Sequence, residues 1–122
     1  MRKLAISLFV FSALLVSCKK SDNHSPTITI TSPSDNQSFT PGQKVHITAN
    51  VSDNSEIHMV HLRVDNLTTN QEFIHIEEHV DVASYNFDTS FVTSAVTSYK
   101  IEVEATNHTN GDAIKDITIK SN

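Results

Sequence analysis

The sequence predicts an all-β fold, an antiparallel β-sandwich of about seven strands, and three observations predict it. Apolar and polar residues alternate in short runs through residues 26–122, with no sustained helical period. Clusters of Pro, Gly, Asn, Asp and Ser separate those runs at the spacing of a sandwich. One Cys and no Trp are present, so packing alone must hold the two layers, without an intersheet disulfide or a buried indole.

Pro26 opens the folded part, and Ile28 and Ile30 alternate with Thr27, Thr29 and Thr31 in a first strand that Pro33 ends. After the turn cluster Ser34-Asp35-Asn36, Phe39 offers an apolar plug and Pro41-Gly42 signals a type II turn. Val45, Ile47, Ala49 and Val51 alternate with His46, Thr48 and Asn50 in a second strand, and Ser52 to Glu56 reads as a loop. From Ile57 to Val64 a third strand puts Val60, Leu62 and Val64 on one face and Met59, His61 and Arg63 on the other. Asp65 to Asn70 is polar turn material, and a fourth strand runs from Glu72 to about Val82 with Ile74 and Ile76 inward.

A turn centred on Thr68 pairs Leu62 with Ile74, Val60 with Ile76 and His61 with His75. All four apolar residues then share one face, which a slip of one residue would mix. Tyr85 and Phe87 form a short aromatic strand, followed by the Ser/Thr-rich stretch Asp88 to Ser98. Tyr99, Ile101, Val103 and Ala105 alternate with Lys100, Glu102 and Glu104 in the most regular run of the chain. Asn107 to Asp112 reads as a hairpin loop, and the last strand, Ile114 to Lys120, buries Ile117 and Ile119.

Ahead of this domain, Arg2 and Lys3 precede the apolar run Leu4 to Val16, the charged and apolar regions of a secretory signal. The run is too short to span a bilayer comfortably. Leu15-Val16-Ser17-Cys18 resembles the bacterial lipoprotein signal, the lipobox, at all four positions. The resemblance implies cleavage before Cys18, which then carries a thioether-linked diacylglycerol and an acylated amine. A lone cysteine beside a cleavage point in an otherwise cysteine-free chain fits that role. Two or more acyl chains anchor stably where one does not. Lys19, rather than the Asp that favours inner-membrane retention, makes the outer membrane the expected destination, on its periplasmic or its surface side. The expected organisation is therefore a signal over residues 1–17, a lipidated Cys with a flexible tether over residues 18–25, and one domain over residues 26–122.

Removing 17 of the 122 residues leaves 105, enough for one real core. Because Arg2 and Lys3 leave with the signal, the formal charge goes from -5 to -7. So acidic a domain excludes nucleic acid as the expected partner.

The run Pro26-Thr27-Ile28-Thr29-Ile30-Thr31-Ser32-Pro33, then Phe39, Gly42, the Val45 to Val51 strand, Ser52-Asp53-Asn54, Ile57 and Val60-His61-Leu62-Arg63-Val64-Asp65 resemble bacterial immunoglobulin-like domains. The resemblance covers nearly the whole mature chain and implies an immunoglobulin-like, fibronectin-III-like sandwich. Such domains usually show Gly where Glu56 stands, and an Asp-x-x-Gly-Asn turn where this chain has Asn107-His108-Thr109-Asn110-Gly111. They serve as spacers, adhesins and sugar-binding or enzyme-accessory modules alike. The His-rich stretch Ile74-His75-Ile76-Glu77-Glu78-His79-Val80 is also similar to that of small bacterial lipoproteins of unknown function.

No Gly-x-Ser-x-Gly elbow, Gly-rich phosphate loop or nucleophilic Cys is present, so catalysis is not expected. Seven histidines are notable in a chain of this size. The hairpin register places His61 opposite His75 on the solvent face, with Glu77 and His79 next along, a set that could hold Zn²⁺ or Cu²⁺. A solvated face that merely carries histidines is the alternative. At one pole, Asp53, Asn54, Glu56, Asn110 and Asp112 gather oxygen ligands suited to Ca²⁺, although Asp and Asn also make turns for their own sake. Sequons at Asn23, Asn36, Asn50, Asn66 and Asn107 follow from the abundance of Asn and Thr. The expected function is a membrane-anchored, non-enzymatic binding module with a protein or glycan partner. The alternative is a divalent-metal-binding lipoprotein.

Overall fold

Alternate residues of the third and fifth strands point inward, and with residues of the other strands they close one core. The computed structural model describes residues 24–122 apart from Ala95. Six strands follow in order: β1 (Thr27–Ser32), β2 (Ser38–Phe39), β3 (Lys44–Asn66), β4 (Gln71–Val92), β5 (Thr97–Asn107) and β6 (Asp112–Ser121). No helix occurs among the described residues, and none is long and apolar enough to cross a membrane. The signal, Cys18 and the tether as far as Asn23 lie outside the described residues.

The two long strands build both layers. The first half of β3 pairs antiparallel with β1 and with the second half of β4, as in Ile28 opposite Val51 and Ala49 opposite Phe87. Its second half pairs with the first half of β4 and with β5, as in Leu62 opposite both Ile76 and Val103. β5 then pairs with β6, and β6 with the short parallel β2. The sheet order is β1-β3-β5-β6-β2, with β4 alongside β3. Because β3 and β4 bend between their halves, the sheet folds over itself and β1 packs against β6. Val45, Ile47 and Val51 of one layer meet Val60, Leu62, Val64, Ile101, Val103 and Ile119 of the other, all fully buried. This is the immunoglobulin-like sandwich the sequence predicts.

Three details differ from the sequence reading. The second and third predicted strands are one strand, as are the fourth and fifth, so the seven predicted runs become five strands, two of them long and bent, and the short β2 at Ser38–Phe39 is a sixth. Ser52 to Glu56 is consequently a bulged corner of β3 and not a free loop, with Glu56 in the left-handed region at φ 68°. The hairpin register is displaced by two residues: Leu62 faces Ile76, Val64 faces Ile74, and His61 faces Glu77 instead of His75.

That displacement has two local causes. Asn66 faces Gln71, which centres the turn half a residue later, and the Asn66 Oδ1 fixes it by accepting the backbone N–H of Thr68 at 2.9 Å and of Thr69 at 3.1 Å. Phe73 is then an extra residue, since Val64 faces Ile74 while Asp65 faces Glu72. A shift of two preserves the faces, so Val60, Leu62 and Val64 are inward as predicted, with Ile74 and Ile76 packed against them. The Pro41-Gly42 turn also forms as predicted: the Gln43 N–H donates to the Thr40 carbonyl at 2.9 Å, and Gly42 takes the positive φ of 89° that a type II turn needs.

Candidate functional site

Outward side chains of β3, β4 and β5 carry most of the charge of the larger layer. Arg63 donates to Glu102 at 3.0 Å and to Glu104 at 3.1 Å, and Lys100 donates to Glu102 at 3.0 Å. Burial pushes the Glu102 carboxyl up, but its bonds from Lys100 and Arg63 outweigh that and hold it below the usual carboxylate range. This lattice of ion pairs forms one flank of a histidine group.

His61 lies between two carboxylates, with Glu77 opposite on β4 and Glu104 opposite on β5. Its Nδ1 is buried and makes no hydrogen bond, although the Glu77 Oε2 is 3.5 Å away. His75 sits diagonally across, its ring centroid 5.8 Å from that of His61 and its Nε2 3.8 Å from the same Glu77 oxygen. The other nitrogen of His75, Nδ1, lies 3.1 Å from Glu72, whose second oxygen is 3.8 Å from the Arg63 Nε. Two metal–ligand bonds of about 2.1 Å at the tetrahedral angle separate ligand atoms by about 3.4 Å. The spacings around Glu77 match that value better than they match hydrogen bonds. A carboxylate on the far nitrogen of a ligating histidine is the usual means of orienting it.

Of the four residues predicted for this face, the structure brings together His61, His75 and Glu77. His79 is separated from them: opposite Met59, it stacks on His58 with ring centroids 4.4 Å apart. A second group that the sequence reading missed forms there, in which His58, Asp81 and His108 converge from β3, β4 and the β5–β6 turn. Hydrogen bonds from His108 and His58 hold the Asp81 carboxyl below its ordinary range.

The oxygen-rich pole is organised differently. The Asp53 side chain is fully buried and its Oδ1 accepts the Ser55 N–H at 2.6 Å and the Ser55 hydroxyl at 2.7 Å, and pairs with the His24 Nε2 at 3.0 Å. Its Oδ2 accepts the Asn107 amide at 3.0 Å. Burial pushes this carboxyl up, but the bonds from Ser55, Asn107 and His24 prevail and lower it to about 2. Asn107 completes the junction, giving its amide also to the His24 carbonyl at 2.8 Å and accepting the Gly111 N–H at 2.7 Å.

Asn54, Glu56, Asn110 and Asp112 stay exposed around the junction. Asp53 thus serves as a structural fastener, and His24, read from the sequence as tether, is fastened by it. Asn110 takes a left-handed φ of 63°, and a Cβ on Gly111 would overlap the His24 carbonyl.

Comparison with known proteins bears on the fold that carries these groups. Among solved structures, the chain is similar to a superoxide reductase (neelaredoxin) from Ignicoccus hospitalis, 12% identical with a TM-score of 0.55 over 81% of each chain. It is also similar to the fibronectin(III)-like modules of CbhA from Clostridium thermocellum, 19% identical with a TM-score of 0.50, covering 80% of this chain and 46% of that one. At these identities the likeness shows the fold alone. No curated protein sequence matches the chain. A family model described as a bacterial Ig domain matches residues 26–113, from the first strand into the last, and the chain belongs to that family.

Proposed function

We propose that this chain is a lipid-anchored, non-enzymatic binding module of the outer membrane, and that the outer face of β3 and β4 takes a divalent transition-metal ion through His61, His75 and Glu77. An immunoglobulin-like domain is consistent with a binding or interaction role. The observation that carries the metal reading is the buried, unbonded Nδ1 of His61 beside a carboxylate oxygen that His75 also approaches. A buried nitrogen without a partner costs stability, and an ion shared with Glu77 and His75 would remove that cost. Two imidazoles and one carboxylate suit Zn²⁺ or Cu²⁺, with water in the fourth position.

The anchor rests on the lipobox resemblance at Leu15-Val16-Ser17-Cys18. It would hold the domain within a short tether of the bilayer, where a protein or glycan partner is met at the cell surface or in the periplasm. Titration of the full chain with Zn²⁺, followed by calorimetry and thermal melting, tests the ion. Acyl labelling of Cys18 tests the anchor.

A further inference from the structure

Strand pairing breaks on both sides of His58. Against β5, Ile57 faces Asn107 and Met59 faces Thr106, so His58 is an extra residue in β3. Against β4, Ile57 faces Val82 and Met59 faces His79, so β4 carries an extra residue in turn. Asp81, in that β4 bulge, adopts a left-handed φ of 45°, a conformation uncommon for a residue with a side chain. Bulges re-aim side chains, and these bring His58 and Asp81 to the tip of the β5–β6 turn, where His108 meets them.

The resulting geometry has three parts. The Asp81 Oδ1 lies 2.7 Å from the His108 Nε2 and 3.4 Å from the His58 Nδ1. The His58 and His108 rings are 4.5 Å apart, and the His79 ring is 4.4 Å from that of His58. One nitrogen from each imidazole and one carboxylate oxygen all lie within 4.8 Å of one another. Side-chain exposures of 39% for His58, 45% for His108 and 63% for Asp81 leave the group open to an ion from solvent.

We propose that His58 Nδ1, the Asp81 carboxylate and His108 Nε2 form a second divalent transition-metal site, independent of the His61 face. The His58 to Asp81 spacing already equals the roughly 3.4 Å between neighbouring ligands of a tetrahedral Zn²⁺, and His108 needs to withdraw by less than about 1 Å. His79 acts as a positioning residue by holding the His58 ring. Two imidazoles favour Zn²⁺, Cu²⁺ or Ni²⁺ over Ca²⁺, which prefers an all-oxygen set.

The test uses the full chain carrying His61→Ala and His75→Ala, which disables the other face. Calorimetric titration with Zn²⁺ should show one saturable equivalent, and Co²⁺ in its place should give the intense visible bands of a tetrahedral site. Adding His108→Ala should weaken binding more than about tenfold. Asp81→Asn should do the same while keeping the left-handed backbone, which Asn tolerates. Absence of saturable binding in the His61→Ala, His75→Ala chain, or an affinity indifferent to both His108→Ala and Asp81→Asn, would overturn the proposal.

Discussion

Asn107 donates its amide to the buried Asp53 carboxylate at 3.0 Å, joining the corner of β3 to the end of β5 across 54 residues of sequence. The same side chain accepts the Gly111 N–H, so one residue closes the last hairpin and fastens the corner of the sandwich. Asn107→Ala should therefore lower stability by about 2–4 kcal/mol, since it removes several hydrogen bonds and strips a buried carboxylate oxygen of its partner. Urea unfolding checks this through a lower midpoint at unchanged slope.

Acid should reveal the same junction. The folded Asp53 carboxyl is lowered to about 2 from an ordinary 3.8, so the folded state binds this proton more weakly than the unfolded state. Its contribution, about 2 kcal/mol, is fully present above pH 3.8 and is lost as the pH falls towards 2. Stability measured from pH 5 down to pH 2 should decline more steeply in the natural chain than in Asp53→Asn. Equal slopes would show that Asp53 is not the titrating group.

Glu56 occupies a left-handed position at φ 68°, a conformation that Gly adopts without steric cost. A side chain there costs about 1–2 kcal/mol, partly offset by the extra freedom Gly has when unfolded. Glu56→Gly should stabilise the domain by about 0.5–1 kcal/mol, read as a higher urea midpoint. A lower midpoint would mean that the Glu side chain contributes contacts beyond its backbone strain.

What the sequence made legible divides along physical lines. Tyr99 to Ala105 was readable because each outward residue is polar and each inward one apolar, a pattern only a half-buried strand requires. The face of the β3–β4 hairpin was readable for the same reason. Its pairing was not, because the Asn66 turn geometry and the extra Phe73 shift partners without disturbing parity. Continuity of β3 through Asp53 and Glu56 was hidden because bulge residues and loop residues have the same polar composition.

The histidine groups show the contrast again. His75 and Glu77 belong together by simple alternation, whereas His58, Asp81 and His108 are separated by 23 and 27 residues and meet only through bulges. The repeated histidines are the one sequence signal of that second group, and His79, on the predicted face, stacks on His58 instead of joining His61, His75 and Glu77.

Cys18→Ser, at the end of Leu15-Val16-Ser17-Cys18, should abolish incorporation of labelled palmitate and leave the signal poorly processed by the lipoprotein peptidase. A variant that still takes up labelled acyl chains would refute the anchor while leaving the domain and its histidine face unaffected.

The most direct test of the metal-binding face is a Zn²⁺ titration of the full chain carrying His108→Ala, which removes the second group and leaves His61, His75 and Glu77 intact. One saturable equivalent should appear, and free Zn²⁺ a hundredfold above its dissociation constant should stabilise the native state by about 2.7 kcal/mol, raising the melting temperature. Adding His61→Ala or His75→Ala should remove most of that rise. Adding His46→Ala should preserve it, because His46 lies in the other layer, where it meets Asp88 at 2.6 Å. Absence of a saturable heat, or a melting shift indifferent to His61 and His75, would contradict the account.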